Sequence, residues 1–100
     1  MKTIDMQELL RQYKIDVEFV KDFIGNDDVE IEELFYRRGE ILKHFDELTW
    51  KQLKEFLNSE KILDKFLNQI KENYPLLYEK IVEPQNKLLK TKLIDVFIES

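Results

Sequence analysis

The chain contains no cysteine and no alanine, and it has only two glycines, two prolines and one histidine. Without cysteine there can be no disulfide bond, thiolate metal site or cysteine nucleophile. Gly25 and Gly39 stand alone, so they cannot form a glycine-rich phosphate-binding loop. The scarcity of glycine and proline, together with 43% hydrophobic residues, argues against a disordered chain. The sequence therefore predicts one folded domain over residues 1–100.

A basic face and a long apolar run are also missing. The net charge is −5, from 21 acidic and 16 basic residues. Because binding to nucleic acid or to an anionic membrane requires a basic surface, neither is expected. No uninterrupted apolar run exceeds three residues, whereas a membrane span needs about twenty. The first residues also lack the hydrophobic region of a signal peptide, so we expect a cytoplasmic protein.

The chain does contain many large apolar residues, including 14 leucines, 10 isoleucines and 7 phenylalanines. They recur at spacings of three and four, which is the pattern of helices with one apolar face. This predicts an all-α fold: a compact bundle of five to six short helices with mostly antiparallel neighbours. Capping signals mark the expected boundaries: starts at Asp5, at Asp27 or Asp28, at Thr49 with Gln52, and at Pro75, and a stop at Gly25.

Two interruptions are expected in the second half of the chain. The apolar residues of segment 50–57, which include Trp50, point about 100° away from those of segment 63–70. A straight helix cannot bury both stripes on one flat surface, so we expect a break at Asn58–Ser59. Pro84 cannot donate a hydrogen bond to the Lys80 carbonyl, so a kink or break is expected there. An apolar stripe continues on both sides of it, at Leu77, Tyr78, Ile81, Leu88, Leu89 and Leu93.

Catalytic machinery is sparse. The single histidine, His44, lies close to Glu40 and Glu47 along one helix, and this trio is the basis of one alternative, a small metal-dependent enzyme or sensor. His44 lies at the edge of its helix's apolar face, which favours an ordinary exposed histidine. Ser59 and Ser100 have no partner that resembles a nucleophile–base pair. We therefore predict no catalytic residue, metal ligand or cofactor-binding residue, and no enzyme activity.

Residues 27–33 form an acidic run that contains five carboxylates in seven residues. One interpretation is a docking surface that attracts a basic protein partner. The other is a helix start whose carboxylates interact favourably with the helix macrodipole. The second interpretation explains the first turn fully and is favoured.

Arg38 lies in the middle of the apolar stripe of its predicted helix. A buried guanidinium requires a carboxylate partner. That carboxylate either belongs to this chain, giving a structural ion pair, or belongs to a bound partner. Gly39 lies beside Arg38, and a glycine within a helix indicates a close helix approach or a local break.

The first helix carries a second apolar stripe nearly opposite the one that begins at Met6. If residues 5–24 form one helix, the second stripe faces a partner or a second layer. If Asp16 begins a new helix, the two stripes serve two helices. The apolar C-terminal residues pose the same question, and self-association through them is one answer. The candidate partner-binding residues are Ile15, Phe19, Phe23, Arg38, Ile94 and Ile98.

Residues 32–42, with the sequence EELFYRRGEIL, resemble the leucine–acid–arginine heptads of flagellar export chaperones of the FlgN/FliT type. The resemblance covers about twenty residues, and the short loop predicted near Thr49 departs from the long hairpin of that family. Those small helical proteins hold exported subunits through an apolar groove, so the resemblance implies a protein that binds another protein. The predicted function is a non-catalytic protein–protein interaction module, such as an adaptor, small chaperone, inhibitor or immunity-type protein.

Overall fold

A computed structural model describes residues 5–99 of the chain, with side chains through Phe97. The helices are α1 (Met6–Glu18), α2 (Val20–Phe23), α3 (Asp28–Lys43), α4 (Trp50–Asp64), α5 (Leu67–Asn73), α6 (Pro75–Leu77) and α7 (Glu83–Glu99). A 3₁₀ turn, Phe45–Glu47, lies between α3 and α4. A π-helical turn, Tyr78–Val82, joins α6 to α7. The described residues contain no strand, and the predicted all-α bundle is confirmed.

Local capping determines most helix boundaries, as the sequence predicts. Asp5 and Asp27 each accept the backbone N–H three residues further on, so Asp27 is the cap of α3. Thr49 accepts the Gln52 N–H at 3.1 Å, and the Gln52 side chain accepts the Thr49 N–H at 3.0 Å. Gly25 follows α2 with φ of +79°, a conformation that glycine adopts without steric cost.

The predicted break at Asn58–Ser59 is wrong. Helix α4 runs without interruption to Asp64, and the chain turns at residues 65–66 instead. Phe56 of the first predicted stripe packs against α1, whereas most of the second stripe lies beyond the turn, with Leu67 and Ile70 on α5. The change of direction between the two stripes therefore occurs at residues 65–66, seven residues after the predicted break. Trp50, expected on the first stripe, is 69% exposed.

The kink expected at Pro84 is replaced by the π-helical turn that directly precedes it. Helix α5 ends at Asn73 and Pro75 begins α6, as expected. Glu83 then donates its N–H to the carbonyl of Tyr78, five residues earlier. A turn of this kind shifts the hydrogen-bond register, which lets a helical segment continue past a proline that cannot donate.

The π-helical turn also changes which side chains are buried. Val82 is fully buried. Ile81 and Leu88, which the sequence places on the buried stripe, are exposed instead. This part of the prediction is wrong because the extra residue in the turn rotates the helix relative to an ideal α-helical wheel.

Helix α1 packs between α3 and α4, and α7 packs against α3. Helices α1 and α4 run in the same direction, because Gln7 contacts Glu55 while Tyr13, further along α1, contacts Glu60. The radius of gyration is 13.4 Å, close to the roughly 13 Å of a compact 100-residue domain. The buried apolar core contains Leu10, Tyr13, Val17, Val20, Ile31, Leu34, Phe35, Ile41, Leu42, Phe45, Leu53, Phe56, Leu63, Ile70 and Val82.

Candidate functional site

A groove lies between α4 and α7 in the described part of the chain. These two helices do not pack closely on each other, and the space between them has a volume of about 530 Å³. Five leucines line it: Leu57, Leu63, Leu67, Leu89 and Leu93. We refer to this site as the leucine groove.

The sequence spacing explains how the leucines come to line the leucine groove. Leu57 and Leu63 lie on α4 and Leu67 follows on α5, while Leu89 and Leu93 are four residues apart on one side of α7. The start of α4 lies beside the end of α7, since Trp50 and Val96 line a neighbouring cavity. The two walls are therefore antiparallel. Along α7, from Asn86 to Leu93, the groove is about 10 Å long.

The rim of the leucine groove is basic, although the whole chain is acidic. Lys61 on α4 and Lys90 on α7 are exposed and lie near the middle of opposite walls. Asp64 and Asn86 lie towards one end. Among the described side chains, neither lysine has an ion-pair partner.

The floor of the groove is a buried ion pair. Arg38 is 2% exposed, and its Nη2 lies 2.7 Å from Glu60 Oε1. Glu60 also accepts a hydrogen bond from the Tyr13 hydroxyl. Gln85 accepts a bond from Arg38 at 3.4 Å and donates to the Phe35 carbonyl at 2.9 Å. Of the two interpretations of Arg38, the structure therefore shows the ion pair within the chain.

Burial and neighbouring charges shift the pKa values of the groups in this network. Burial raises the pKa of Tyr13 well above its ordinary value, and the nearby Glu60 raises it further. Burial would lower the pKa of Arg38, but Glu60 and Tyr13 together more than offset this and the pKa is raised. No buried polar side-chain atom in the described residues lacks a hydrogen-bond partner. The floor therefore consists of groups that are already paired with one another.

Gly39 allows α3 and α7 to approach each other beside the floor. A Cβ atom at this position would lie 3.0 Å from Nε2 of Gln85, the side chain that links α7 to the network. The alternative of a local break is wrong, since α3 continues through Gly39; the space beside the glycine is occupied by the tip of the Gln85 side chain.

A second apolar surface lies where α1 meets α2. Ile15 is exposed, Phe19 is 50% exposed and Phe23 is half-buried against the core. The centroids of the two phenylalanine rings are 6.5 Å apart. We call Ile15, Phe19 and Phe23 the α1–α2 patch. Its neighbours Glu18 and Asp22 are exposed acids.

The helix boundary in this region lies at Phe19. Asp16 does not cap a new helix; it is buried within α1, and its carboxylate lies 2.5 Å from the Arg37 guanidinium. Residues 5–24 therefore form two helices, but the junction comes three residues later than the alternative at Asp16.

The remaining sequence candidates do not form a second site. Ile94 is 47% exposed and does not line the leucine groove, while the Ile98 side chain lies outside the described residues. His44 caps the C-terminus of α3, with Nδ1 2.5 Å from Glu47 Oε2. Glu40 pairs with Lys43 instead. No group of three potential metal ligands comes together among the side chains that the structure describes.

Sequence reasoning did not single out the leucine groove. Leu63, Leu67, Leu89 and Leu93 each belong to a predicted apolar stripe, so their sequence signal is the same as that of core residues. The only available hint is the 100° offset between the stripes of segments 50–57 and 63–70, which indicates that the two segments have different neighbours.

No protein-family model, curated protein or solved structure matches this chain. Residues 32–42, which carry the resemblance to export chaperones, lie on α3 with their apolar side chains in the core, apart from the exposed Tyr36. Within the described segment, no helix has both the length and the hydropathy required to cross a bilayer.

Proposed function

We propose that the protein is a non-catalytic binding protein that holds an apolar helix of a protein partner in the leucine groove. The observation that carries the proposal is a set of five leucines, Leu63 buried and the other four partly exposed, that line the space between two helices that do not touch closely. Exposed apolar surfaces of this kind mark interaction sites in monomeric proteins.

The shape of the groove favours a helix over a small molecule. A small-molecule site encloses most of its ligand, whereas the rim residues Lys61, Asp64 and Lys90 are all exposed. A groove about 10 Å long accepts about two helical turns. A partner helix with leucines at positions i, i+3 or i+4, and i+7 would present them to the leucine walls.

The chemistry of the groove favours binding over catalysis. The ionisable groups on its floor, Arg38 and Glu60, are paired with each other and with Tyr13. In the described residues the lining contains no serine, threonine or histidine. The remaining ionisable lining residues, Lys61, Asp64 and Lys90, lie exposed on the rim.

The proposal is tested with a fluorescent synthetic helix that has leucines at those positions and only uncharged flanking residues. Fluorescence anisotropy measures its dissociation constant. Leu89→Asp places a charge on the groove wall and should weaken binding by about tenfold or more, because the burial of one leucine contributes about 2 kcal/mol.

The matched control is Leu88→Asp. Leu88 is the preceding residue on α7, is 41% exposed and does not line the groove, so this variant should bind as the parent protein does. Circular dichroism checks that both variants are folded. No binding by the parent protein, or equal losses in the two variants, would contradict the proposed function.

A further inference from the structure

A second groove, smaller and more enclosed than the leucine groove, lies between α1 and α4. Each helix contributes four residues at positions i, i+3, i+4 and i+7, beginning with Gln7 on α1 and with Glu55 on α4. Each set therefore lies on one side of a continuous helix. The volume is about 260 Å³, slightly below the roughly 300–1,000 Å³ of typical small-molecule sites. We refer to this site as the α1–α4 groove, and its size suits a ligand such as an amino acid.

The floor of the α1–α4 groove contains a hydroxyl group without a partner. Three polar side chains are buried in the described residues: Asp16, Arg38 and Ser59. Asp16 and Arg38 each form an ion pair, whereas Ser59, which is 4% exposed, makes no side-chain hydrogen bond to another described residue. Every fully enclosed polar side-chain atom in that part of the chain does have a partner, so the Ser59 hydroxyl opens onto the groove that Ser59 lines. A hydroxyl at this depth favours a polar ligand, because burying it without a hydrogen bond is unfavourable.

The charged residues that line the α1–α4 groove follow one another in a defined order. Two contacts between α1 and α4 fix their register and place Arg11 level with Ser59. Glu55 lies about 5 Å from this level in one direction along the helices, and Lys14 lies about 5 Å from it in the other. The groove therefore presents one carboxylate followed by two cations.

Charges just outside the lining do not change this balance. On the same helices, the exposed charged residues within four positions of Arg11, Lys14 or Glu55 are two acids on α1 and two lysines on α4: Glu8, Glu18, Lys51 and Lys54. Their charges cancel, so the two cations and one carboxylate of the lining leave a net charge of +1. Arg11 contacts Glu8 at 2.5 Å, but both side chains are about half exposed. Such a pair contributes little, so Arg11 can exchange it for a ligand.

We propose that the α1–α4 groove binds a free acidic amino acid, such as L-glutamate. This ligand carries one ammonium and two carboxylates at neutral pH, which complement Glu55, Arg11 and Lys14 one for one. The ammonium binds at Glu55, and the α-carboxylate binds at Arg11, where the Ser59 hydroxyl donates to it. The side-chain carboxylate binds at Lys14. A simple oxyanion would leave the Glu55 carboxylate without a cation, so charge favours the amino acid. The inference does not depend on the proposed function, because it uses a different groove.

Titration with sodium L-glutamate at constant pH and ionic strength, followed by ¹H–¹⁵N NMR of the parent protein, tests the inference. Amide signals of residues that line the groove should shift and saturate. Two related probes each lack one charge: L-glutamine lacks the side-chain carboxylate, and glutarate lacks the ammonium. Each should bind about fivefold more weakly than L-glutamate, since it loses one partly exposed ion pair.

Ser59→Ala separates a binding role from a packing role. Alanine is also small, so α1 and α4 can still approach each other, but the hydroxyl is removed. The variant should bind L-glutamate about tenfold or more weakly, because a hydrogen bond to a charged group is lost. The matched control, Thr91→Ala, removes a hydroxyl on α7 outside the groove and should bind as the parent protein does. Thermal melts check that both variants are folded.

Glu55→Gln gives the sharpest result. Nothing in the groove then recognises the ammonium, so this variant should bind L-glutamate and glutarate equally. Glu72→Gln makes the same change at an exposed residue outside the groove and should keep the difference between the two probes. The inference is overturned if L-glutamate gives no saturable shift, or if Glu55→Gln still prefers it to glutarate. Equal binding of L-glutamate by the Ser59→Ala and Thr91→Ala proteins would contradict it too. Inorganic phosphate that binds the groove more tightly than L-glutamate would identify a simple oxyanion site instead.

Discussion

This small protein contains two kinds of ion pair, one exposed to solvent and one buried. The Lys43–Glu40 pair lies on the surface, where water screens it. The Arg38–Glu60 pair is buried and shares its carboxylate with the hydroxyl of Tyr13. Surface pairs contribute little to stability. Removing one member of a buried pair leaves the other charge without compensation.

Arg38→Ala is therefore expected to lower the free energy of unfolding by about 3–5 kcal/mol. Glu60 would keep its charge in a buried position and lose its guanidinium partner. Urea denaturation followed by circular dichroism measures the change. Lys43→Ala, which breaks the exposed pair, is the control and should leave the denaturation midpoint nearly unchanged.

Replacing the whole buried group should be much less harmful than removing one charge. A triple variant with Arg38→Met, Glu60→Leu and Tyr13→Phe removes both charges and the hydroxyl while keeping similar volumes. Such replacements are often neutral or stabilising. A triple variant less stable than Arg38→Ala would show that the network contributes more than the cost of an unpaired charge.

The stability contributed by Asp16 should depend on pH. Burial raises the pKa of Asp16 above its ordinary value of 3.8, and this outweighs the lowering by the Arg37 guanidinium. The folded protein therefore holds this proton more tightly than the unfolded chain does. By linkage, the contribution is present below the unfolded pKa and is lost as pH rises through the folded pKa.

Asp16→Asn removes this titration, so the variant should gain stability relative to the parent protein as pH rises from about 3 to about 6. Urea denaturation at several pH values gives the difference in unfolding free energy. A difference that does not change with pH, or one that falls, would show that the ion pair with Arg37 dominates over burial.

At the scale of helices, the correct sequence predictions are those that depend on short-range geometry. The caps at Asp5, Asp27 and Thr49 and the stop at Gly25 involve residues within three or four positions of one another. Their hydrogen bonds can form whatever the rest of the chain does. Such boundaries can therefore be predicted without knowledge of the tertiary structure.

The capping box at the start of α4 offers a direct test. Thr49→Ala should cost about 1 kcal/mol of unfolding free energy, because the Gln52 N–H loses its side-chain acceptor. The control is Thr91→Ala, since the Thr91 hydroxyl donates to the Lys87 carbonyl within a helix and caps nothing. That variant should be neutral or slightly stabilising. Equal effects in thermal melts would contradict the capping role.

The incorrect predictions share one cause. A helical wheel assumes that a helix packs against one neighbour and keeps a constant number of residues per turn. Ser59 lies inside α4 because the chain changes direction at residues 65–66 instead, between the first stripe and most of the second. Ile81 and Leu88 are exposed because the π-helical turn breaks the assumed period of 3.6 residues. Periodicity identifies helices correctly here but does not identify what each face contacts.

At the scale of the molecule, the leucine groove arises from the arrangement of helices and is not encoded in any one of them. Leu63 and Leu89 have the same spacing and residue type as residues of the closed core. They line a groove because α1 fills one side of α4 and α3 supports α7, which leaves α4 and α7 apart. Sequence alone therefore predicts the fold class and a binding role, but not the site.

The open groove leaves α7 without close packing against α4, and this leads to a prediction about cooperativity. Helix α7 is held by its contact with α3, by Val82 in the core, by the partly buried Leu89, Leu93 and Val96, and by Gln85. The bonds from Gln85 to Arg38 and to the Phe35 carbonyl tie it into the same network that joins α1, α3 and α4.

If these links are sufficient, the chain unfolds as one unit, as most single domains of this size do. Urea transitions followed by far-ultraviolet circular dichroism, which reports all helices, and by the near-ultraviolet signal of Tyr13 packed on Phe56 should then coincide. Gln85→Ala should separate them, because the helical signal of α7 would be lost at a lower urea concentration than the packing of Tyr13. Coincident transitions in that variant would show that Val82 and the contact with α3 hold α7 without the network.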